Sequence, residues 1–329
     1  MITVIGESLI DLVAGTPHVG GSPLNVAIGL ARLGHRTDFV SRFGRDAYGE
    51  QIAAHLAADG VTPVLPPDDG RTSVATVTLD ERGAASYDFD LDWSLPTVDE
   101  ITAALAAASA GAHDPASSPS LAHIGSIATT LQPGATTVLD LVTRLRPEST
   151  ITFDPNARPT IVGDVAYAVA QAEAFVAVSD VVKASDEDLL WLYPGRTIEE
   201  TAAAWLALGP AVVAVTRGSE GGYAVAASGA VSVPSVRAEL VDTVGAGDSF
   251  MAAMLGWVVD NGLDGPSSRD ALHAISPAQL SSLLGYAAAA AAITVSRAGA
   301  NPPSRSELDA ARSSAPASSP ASSSTIQDV

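Results

Sequence analysis

The 329-residue sequence predicts an α/β fold, a mostly parallel central sheet flanked by helices with a small β-sheet lid. Three observations predict it. Short apolar runs that end in glycine or polar residues, at 1–5, 151–153 and 211–215, suit buried strands of a parallel sheet. Amphipathic stretches alternate with them, as in successive βαβ units. Residues 72–79 and 85–91 instead read as two strands joined by the turn 80–83, a hairpin with no crossover helix.

The elements follow in order. The run at 1–5 is the first buried strand, and Gly6 closes it. Residues 9–14 are strand-like apart from Asp11 and are expected to pair with the hairpin, so that a lid forms from about 9–19 and 71–93. An antiparallel extension of the main sheet is the alternative. Residues 25–33 place Val26, Leu30 and Leu33 on one helical face, with Ser22 as N-cap and Pro23 in the first turn. Residues 98–110 and 133–145 have the same helical periodicity. One large α/β domain is expected to occupy 1–304, and the Ala/Ser/Pro composition of 313–329 reads as a disordered tail.

Composition excludes several function classes. Net charge is −20 and no Lys/Arg cluster exists, so nucleic acid and anionic membrane surfaces are not expected partners. The absence of cysteine removes disulfides, zinc fingers and thiol catalysis, and fits a cytoplasmic setting. The longest unbroken apolar run, 286–293, is too short for a membrane span. The six histidines have no metalloprotease spacing and are expected mostly at the surface or at caps.

The chemistry concentrates in two motifs. Gly245, Ala246 and Gly247 run directly into the apolar stretch 251–259, so they sit at a helix N-terminus whose free N–H groups and dipole form an anion hole. Asp248 falls in the first turn, where it can take the proton of a hydroxyl attacking phosphorus. A Rossmann fingerprint is excluded because Phe250 stands where its third glycine belongs. A Walker loop is excluded because the only lysine, Lys183, follows Val182. Phosphate must therefore be gripped by backbone and arginine. In the second motif Gly20 and Gly21 let a ligand approach the backbone, and Asn25 can exchange hydrogen bonds with sugar hydroxyls, as can Asp11. Taken singly, Asn25 is equally readable as a cap partner and Asp11 as a solvated strand residue.

Together these motifs make the sequence resemble the ribokinase-like (PfkB) family of carbohydrate kinases, over nearly the whole chain to about Ser304. The segment 242–248 is similar to the family's C-terminal signature and 20–25 to its N-terminal one. Segments 6–11, 153–158 and 183–188 look most like fructokinases. The resemblance implies a ribokinase-like fold, ATP and Mg2+ as cofactors, and a neutral sugar as substrate, fructose above others. It further implies Asp248 as base, Gly245, Ala246 and Gly247 as anion hole, and Asp11, Gly20, Gly21 and Asn25 as sugar ligands. Asn156 and Arg158 would face the phosphoryl groups, and Lys183, Thr216 and Gly218 the nucleotide. The family's Asn and Glu that help place magnesium through water correspond to Ser185 and Asp188, so the shorter Asp188 would act through an additional water. Asp242 with the loop 299–304 resembles a monovalent-cation site, implying K+. A homodimer through the lid is also implied. The acidic run 87–93 disfavours a phosphorylated substrate, and Trp93 is expected to pack the lid. For an acidic sugar the nearby sequence offers only His18 and Arg32 as cations. Family members acting on ribose, a nucleoside or 2-keto-3-deoxygluconate, or a relative that binds sugar without turnover, are the alternatives.

Overall fold

The computed structural model describes residues 1–79, 85–110 and 119–314. The expected turn at 80–83 and nearly all of the expected tail at 313–329 lie outside them. The described residues contain thirteen strands: β1 (Ile2–Ile5), β2 (Leu9–Val13), β3 (Thr16–Gly20), β4 (Thr37–Val40), β5 (Thr62–Pro63), β6 (Val74–Leu79), β7 (Ala85–Asp90), β8 (Leu121–Gly125), β9 (Thr150–Asp154), β10 (Val181–Ser185), β11 (Val212–Thr216), β12 (Gly222–Ala226) and β13 (Gly229–Val233).

Nine of them form the main sheet in the order β13-β12-β11-β10-β9-β8-β1-β4-β5. From β5 to β11 every pairing is parallel; the β11–β12 and β12–β13 pairings are antiparallel, so β12 alone runs against the others. The chain moves outward from β1 to β4 and β5, then returns to the other side of β1 and moves outward again through β8 to β11. The strand order thus reverses between β1 and β8, and in open α/β sheets the crevice at the carboxyl ends of such strands is where ligands bind.

Helices cover both faces. Ser22–Arg32, Ala246–Asp260 and Pro277–Val295 pack on one, through Leu24, Ile28, Met251, Leu255, Leu280 and Leu284. Val98–Ala110, Gly134–Leu145 and Val165–Val178 pack on the other, through Ile101, Leu141 and Phe175. Pro277–Val295 is long and apolar enough to cross a membrane, yet Leu280, Leu283, Leu284 and Ala287 are fully buried in the protein core, which accounts for its composition. Arg305–Ser314, a helix the sequence reading left unassigned, docks with Leu308 fully buried.

The strands expected to form the lid make a separate four-stranded sheet, β3-β2-β6-β7, and not an extension of the main one. β6 and β7 pair antiparallel, and β2 pairs with β6 in parallel. Trp93, expected to pack the lid, packs instead in the core beside the main sheet: it is 3% exposed, lies against Gly134, and its indole N–H donates to Ala128 O at 3.1 Å.

The expected cap of the first helix needs correction. Ser22 is the first helical residue, and Gly21, with φ 114°, is the cap and contributes no side-chain hydrogen bond. Among the described histidines, expected mostly at the surface or at caps, His123 is the buried exception, 1% exposed, because β8 is covered on both faces.

Candidate active site

The helix Ala246–Asp260 begins after Gly245, whose φ of 74° is left-handed and suits only glycine readily. A Cβ there would lie 2.7 Å from Ala300 Cβ and 2.8 Å from Ala300 Cα, so the turn has no room for a side chain. No side chain caps this helix, and Ala246 N reaches Thr243 O at a long 3.3 Å, so the start of the helix can receive an anion.

Asp248 is half-buried in the first turn, and both its oxygens are held from the second motif. Ser22 Oγ donates to Oδ1 at 2.6 Å and Asn25 Nδ2 to Oδ2 at 2.7 Å. These two contacts join residues more than two hundred positions apart. Ser22 was read as a cap, and its partnership with Asp248 was missed. The available signal was its spacing: Ser22 and Asn25 are three apart and so share a helical face.

Asp11 lies on β2 opposite His18 on β3, and its carboxylate leans over Gly20, where a Cβ would come within 2.2 Å of Oδ2. Burial pushes the Asp11 carboxyl above its ordinary range, opposed by the charges of Arg158 and His18. Gly21 is equally constrained, since its Cβ would approach Glu7 O to 2.6 Å. Glu7 itself is 5% exposed at the passage from β1 into the lid. Burial raises its pKa to about 7, against opposing hydrogen bonds that include one from Ala128 N.

The turn 154–158 is tied down from two sides. Asp154 Oδ1 accepts from Asn156 N at 3.2 Å, and Asp188 Oδ1 accepts from Ala157 N at 2.8 Å. Asn156 takes a left-handed φ of 37°, and Arg158 folds back so that its Nη1 donates to Asn156 Oδ1 at 2.7 Å. The guanidinium charge reaches both Asp11 and Glu7. Arg158 therefore supplies a cation near Asp11 that sequence proximity did not reveal. Arg32, by contrast, sits at the far end of its helix, bound to Asp59 at 2.7 Å and to Asn301 at 2.6 Å.

The remaining candidates separate. Thr216 and Gly218 lie at and beyond the carboxyl end of β11, beside Ser185 on β10, so they continue the same sheet edge. Lys183 is 3% exposed beneath that edge, its Nζ 2.9 Å from Asp154 Oδ2, and is not presented to a surface. Asp188 Oδ2 accepts from Ser185 N at 2.9 Å, completing a capping box, so both its oxygens are engaged by backbone. Asp242 accepts from Gly299 N at 2.8 Å and Val244 N at 3.0 Å, joining the 299–304 loop to the approach of the glycine turn, and these two bonds hold its carboxyl below the ordinary range.

The assembled site sits at the reversal of strand order and contains a held carboxylate beside an open helix N-terminus, with a small sheet above it. Residues 2–307 match the pfkB family of carbohydrate kinases. A fructokinase of Rhizobium leguminosarum bv. trifolii is 34% identical over 264 residues, 78% of this chain and 78% of that protein. The crystal structure of fructokinase with bound ATP from Xylella fastidiosa matches with a TM-score of 0.81 at 25% identity, covering 95% of this chain and 98% of that one. A double mutant of Vibrio cholerae O395 fructokinase, in a form with fructose, ADP and potassium ion bound, matches with a TM-score of 0.75 at 25% identity over 94% and 97% of the two chains. With one family spanning the chain from its first strand to its last helix, the protein belongs to the pfkB carbohydrate kinases and is a sugar kinase.

Proposed function

We propose that the protein transfers the γ-phosphate of ATP to the primary hydroxyl of a neutral sugar, D-fructose at C6. The observation that carries the reading is Asp248, gripped by Ser22 and Asn25 and adjoining the uncapped start of the Ala246–Asp260 helix. Asp248 takes the proton as the sugar oxygen bonds to the γ-phosphorus. The bond from that phosphorus to the β–γ bridging oxygen breaks, ADP leaves, and the N–H groups around Gly245, Ala246 and Gly247 face the charge that develops. Ser22 and Asn25 keep the carboxylate oriented. Asp11, Gly20 and Gly21 are the sugar side, Asn156 and Arg158 adjoin the phosphates, and Thr216 and Gly218 the nucleotide. The lid excludes water, which limits loss of ATP to hydrolysis.

Membership of the family implies ATP with a divalent metal, and we take that metal as Mg2+. Among the described residues no three His, Cys, Asp or Glu side chains form a metal cage. That fits a cation held by phosphate oxygens and water, with Asp188 reached only through water, and bound there it would neutralise charge on the β- and γ-phosphates. The Asp242–Gly299 closure, together with the potassium named for the Vibrio cholerae structure, supports activation by K+.

A second reading, an acidic sugar such as 2-keto-3-deoxygluconate, is favoured by one observation, the Arg158 charge acting on Asp11. The deciding experiment measures ADP release with ATP and magnesium on fructose, ribose, glucose, adenosine and 2-keto-3-deoxygluconate, with and without potassium. Turnover on fructose is expected. Turnover on the keto acid alone moves the substrate to the second reading, and sugar binding by calorimetry with no ADP release would overturn the kinase assignment of this chain.

A further inference from the structure

Lys183 is the only lysine among 329 residues, and it is spent on a buried ion pair. Its side chain is 4% exposed and that of Asp154 is 2% exposed. Burying such a pair is a poor route to stability, because desolvating two charges offsets most of their attraction and an apolar pair of similar volume often does as well. Its position is the informative part. Val182 on β10 pairs with Phe153 on β9, so Lys183 and Asp154 follow side by side at the carboxyl edge. From there the ammonium reaches to 3.2 Å from where a Cβ on Gly247 would lie, directly behind the anion-hole turn.

We infer that Lys183 is a positioning residue for phosphoryl transfer, a cation fixed behind Gly247 by Asp154 so that the turn presents positive charge to the transferred group. The inference rests on the reading of Gly245 to Gly247 and Asp248 as hole and base. Three carboxylates act on Lys183, those of Asp154, Asp188 and Asp248, and without its charge they would leave the turn backed by negative potential that repels phosphate. Burial opposes the ammonium, yet these carboxylates outweigh it and hold the Lys183 pKa above its ordinary value. The neighbouring His123, whose Nδ1 lies 3.1 Å from Thr152 Oγ1, contributes no charge, because burial and the Lys183 charge lower its pKa to about 3. Asp154 does two tasks at once: Oδ2 orients Lys183, and Oδ1 holds the Asn156 turn.

The test compares Lys183→Met, Lys183→Arg and the neutral pair Lys183→Met/Asp154→Asn in the full chain, on whichever sugar the wild type turns over. Lys183→Met should lower kcat about a hundredfold, the scale of one lost oxyanion-hole donor, while sugar KM moves less than about threefold. Lys183→Arg should recover part of that loss. Where Lys183→Met fails to fold, the neutral pair carries the test alone, since it strands no buried charge. It should recover the thermal midpoint and yet remain at least about tenfold down in kcat. Full recovery of both would make the pair merely structural and end the inference. A second readout needs no sugar: wild type should bind ADP with magnesium and aluminium fluoride more tightly than ADP with magnesium, and the neutral pair should lose that gain. No gain in the wild type, or an undiminished gain in the neutral pair, also overturns it. Turnover surviving in Asp248→Asn would sink the reading beneath the inference, whereas a dead Asp248→Asn beside a fully active neutral pair sinks the inference alone.

Discussion

Two acids occupy the same position, third in the first turn of a helix, and are bound differently. Asp248 follows Gly245, and Asp188 follows Ser185. Where the cap is serine, its hydroxyl accepts from Asp188 N at 3.0 Å and the Asp188 carboxylate turns back onto Ser185 N, a closed reciprocal box. Where the cap is glycine, no side chain closes the helix start, Ala246 N reaching only Thr243 O at 3.3 Å, and the carboxylate turns outward to Ser22 and Asn25. The cap residue decides whether an N-terminal acid is structural or available. Converting one into the other is blocked at Gly245 by its left-handed φ and by Ala300.

The largest effect expected from this contrast is on turnover. Asp248→Asn removes the proton acceptor but keeps the shape, and kcat should fall by about two to four orders of magnitude with the thermal midpoint little changed. Asp188→Asn should do the reverse, losing about 1–3 kcal/mol of stability because one of two buried backbone N–H groups loses its acceptor, with a much smaller drop in kcat. Parallel steady-state kinetics and urea unfolding of the two variants check the pair. An Asp188→Asn enzyme that unfolds like the wild type but demands far more magnesium would make the water-mediated contact to the metal, and not the capping box, the main task of Asp188.

Glu7 extends the comparison to an acid with no helix start at all. Its folded pKa is about 7, raised from 4.5 chiefly by burial, so the folded chain binds this proton more tightly than the unfolded one. Stability from this group is present below about pH 4.5 and is lost as pH rises through about 7, a change on the order of 3 kcal/mol. Glu7→Gln keeps an acceptor for Ala128 N and removes the titration. Relative to wild type it should therefore gain stability between pH 5 and pH 8, read from urea midpoints at the two values. An unchanged difference between the variants would mean that Glu7 stays charged in the fold.

What was legible in the sequence follows the range of the interaction. The strand at the N-terminus, the 98–110 helix, the two paired strands β6 and β7 and the glycine turn before Asp248 are written in contiguous residues, and the structure contains all of them. Ser22 was misread because a serine before proline suits a cap equally well, and the competing partner, Asp248, comes from a helix 226 residues away. The Asp154–Lys183 pair needed the knowledge that β9 and β10 are neighbours, which no local pattern supplies. Arg158 was assigned to phosphate from its motif, whereas its charge also reaches Asp11 across the junction of lid and sheet.

The smallest expected effect isolates the cap itself. Ser185→Ala deletes the hydroxyl that receives Asp188 N but leaves the Asp188 carboxylate on Ser185 N and Ala157 N. One half of the box is lost, a cost of about 1 kcal/mol by the usual worth of a serine cap. Because Ala157 N stays held, the turn carrying Asn156 and Arg158 keeps its place, and kcat should remain within about twofold of wild type. A urea titration and one saturating rate measurement suffice. A kcat loss well beyond the stability loss would mean that the Ser185 hydroxyl itself faces the nucleotide, and the two helix starts would then differ less than their hydrogen bonds imply.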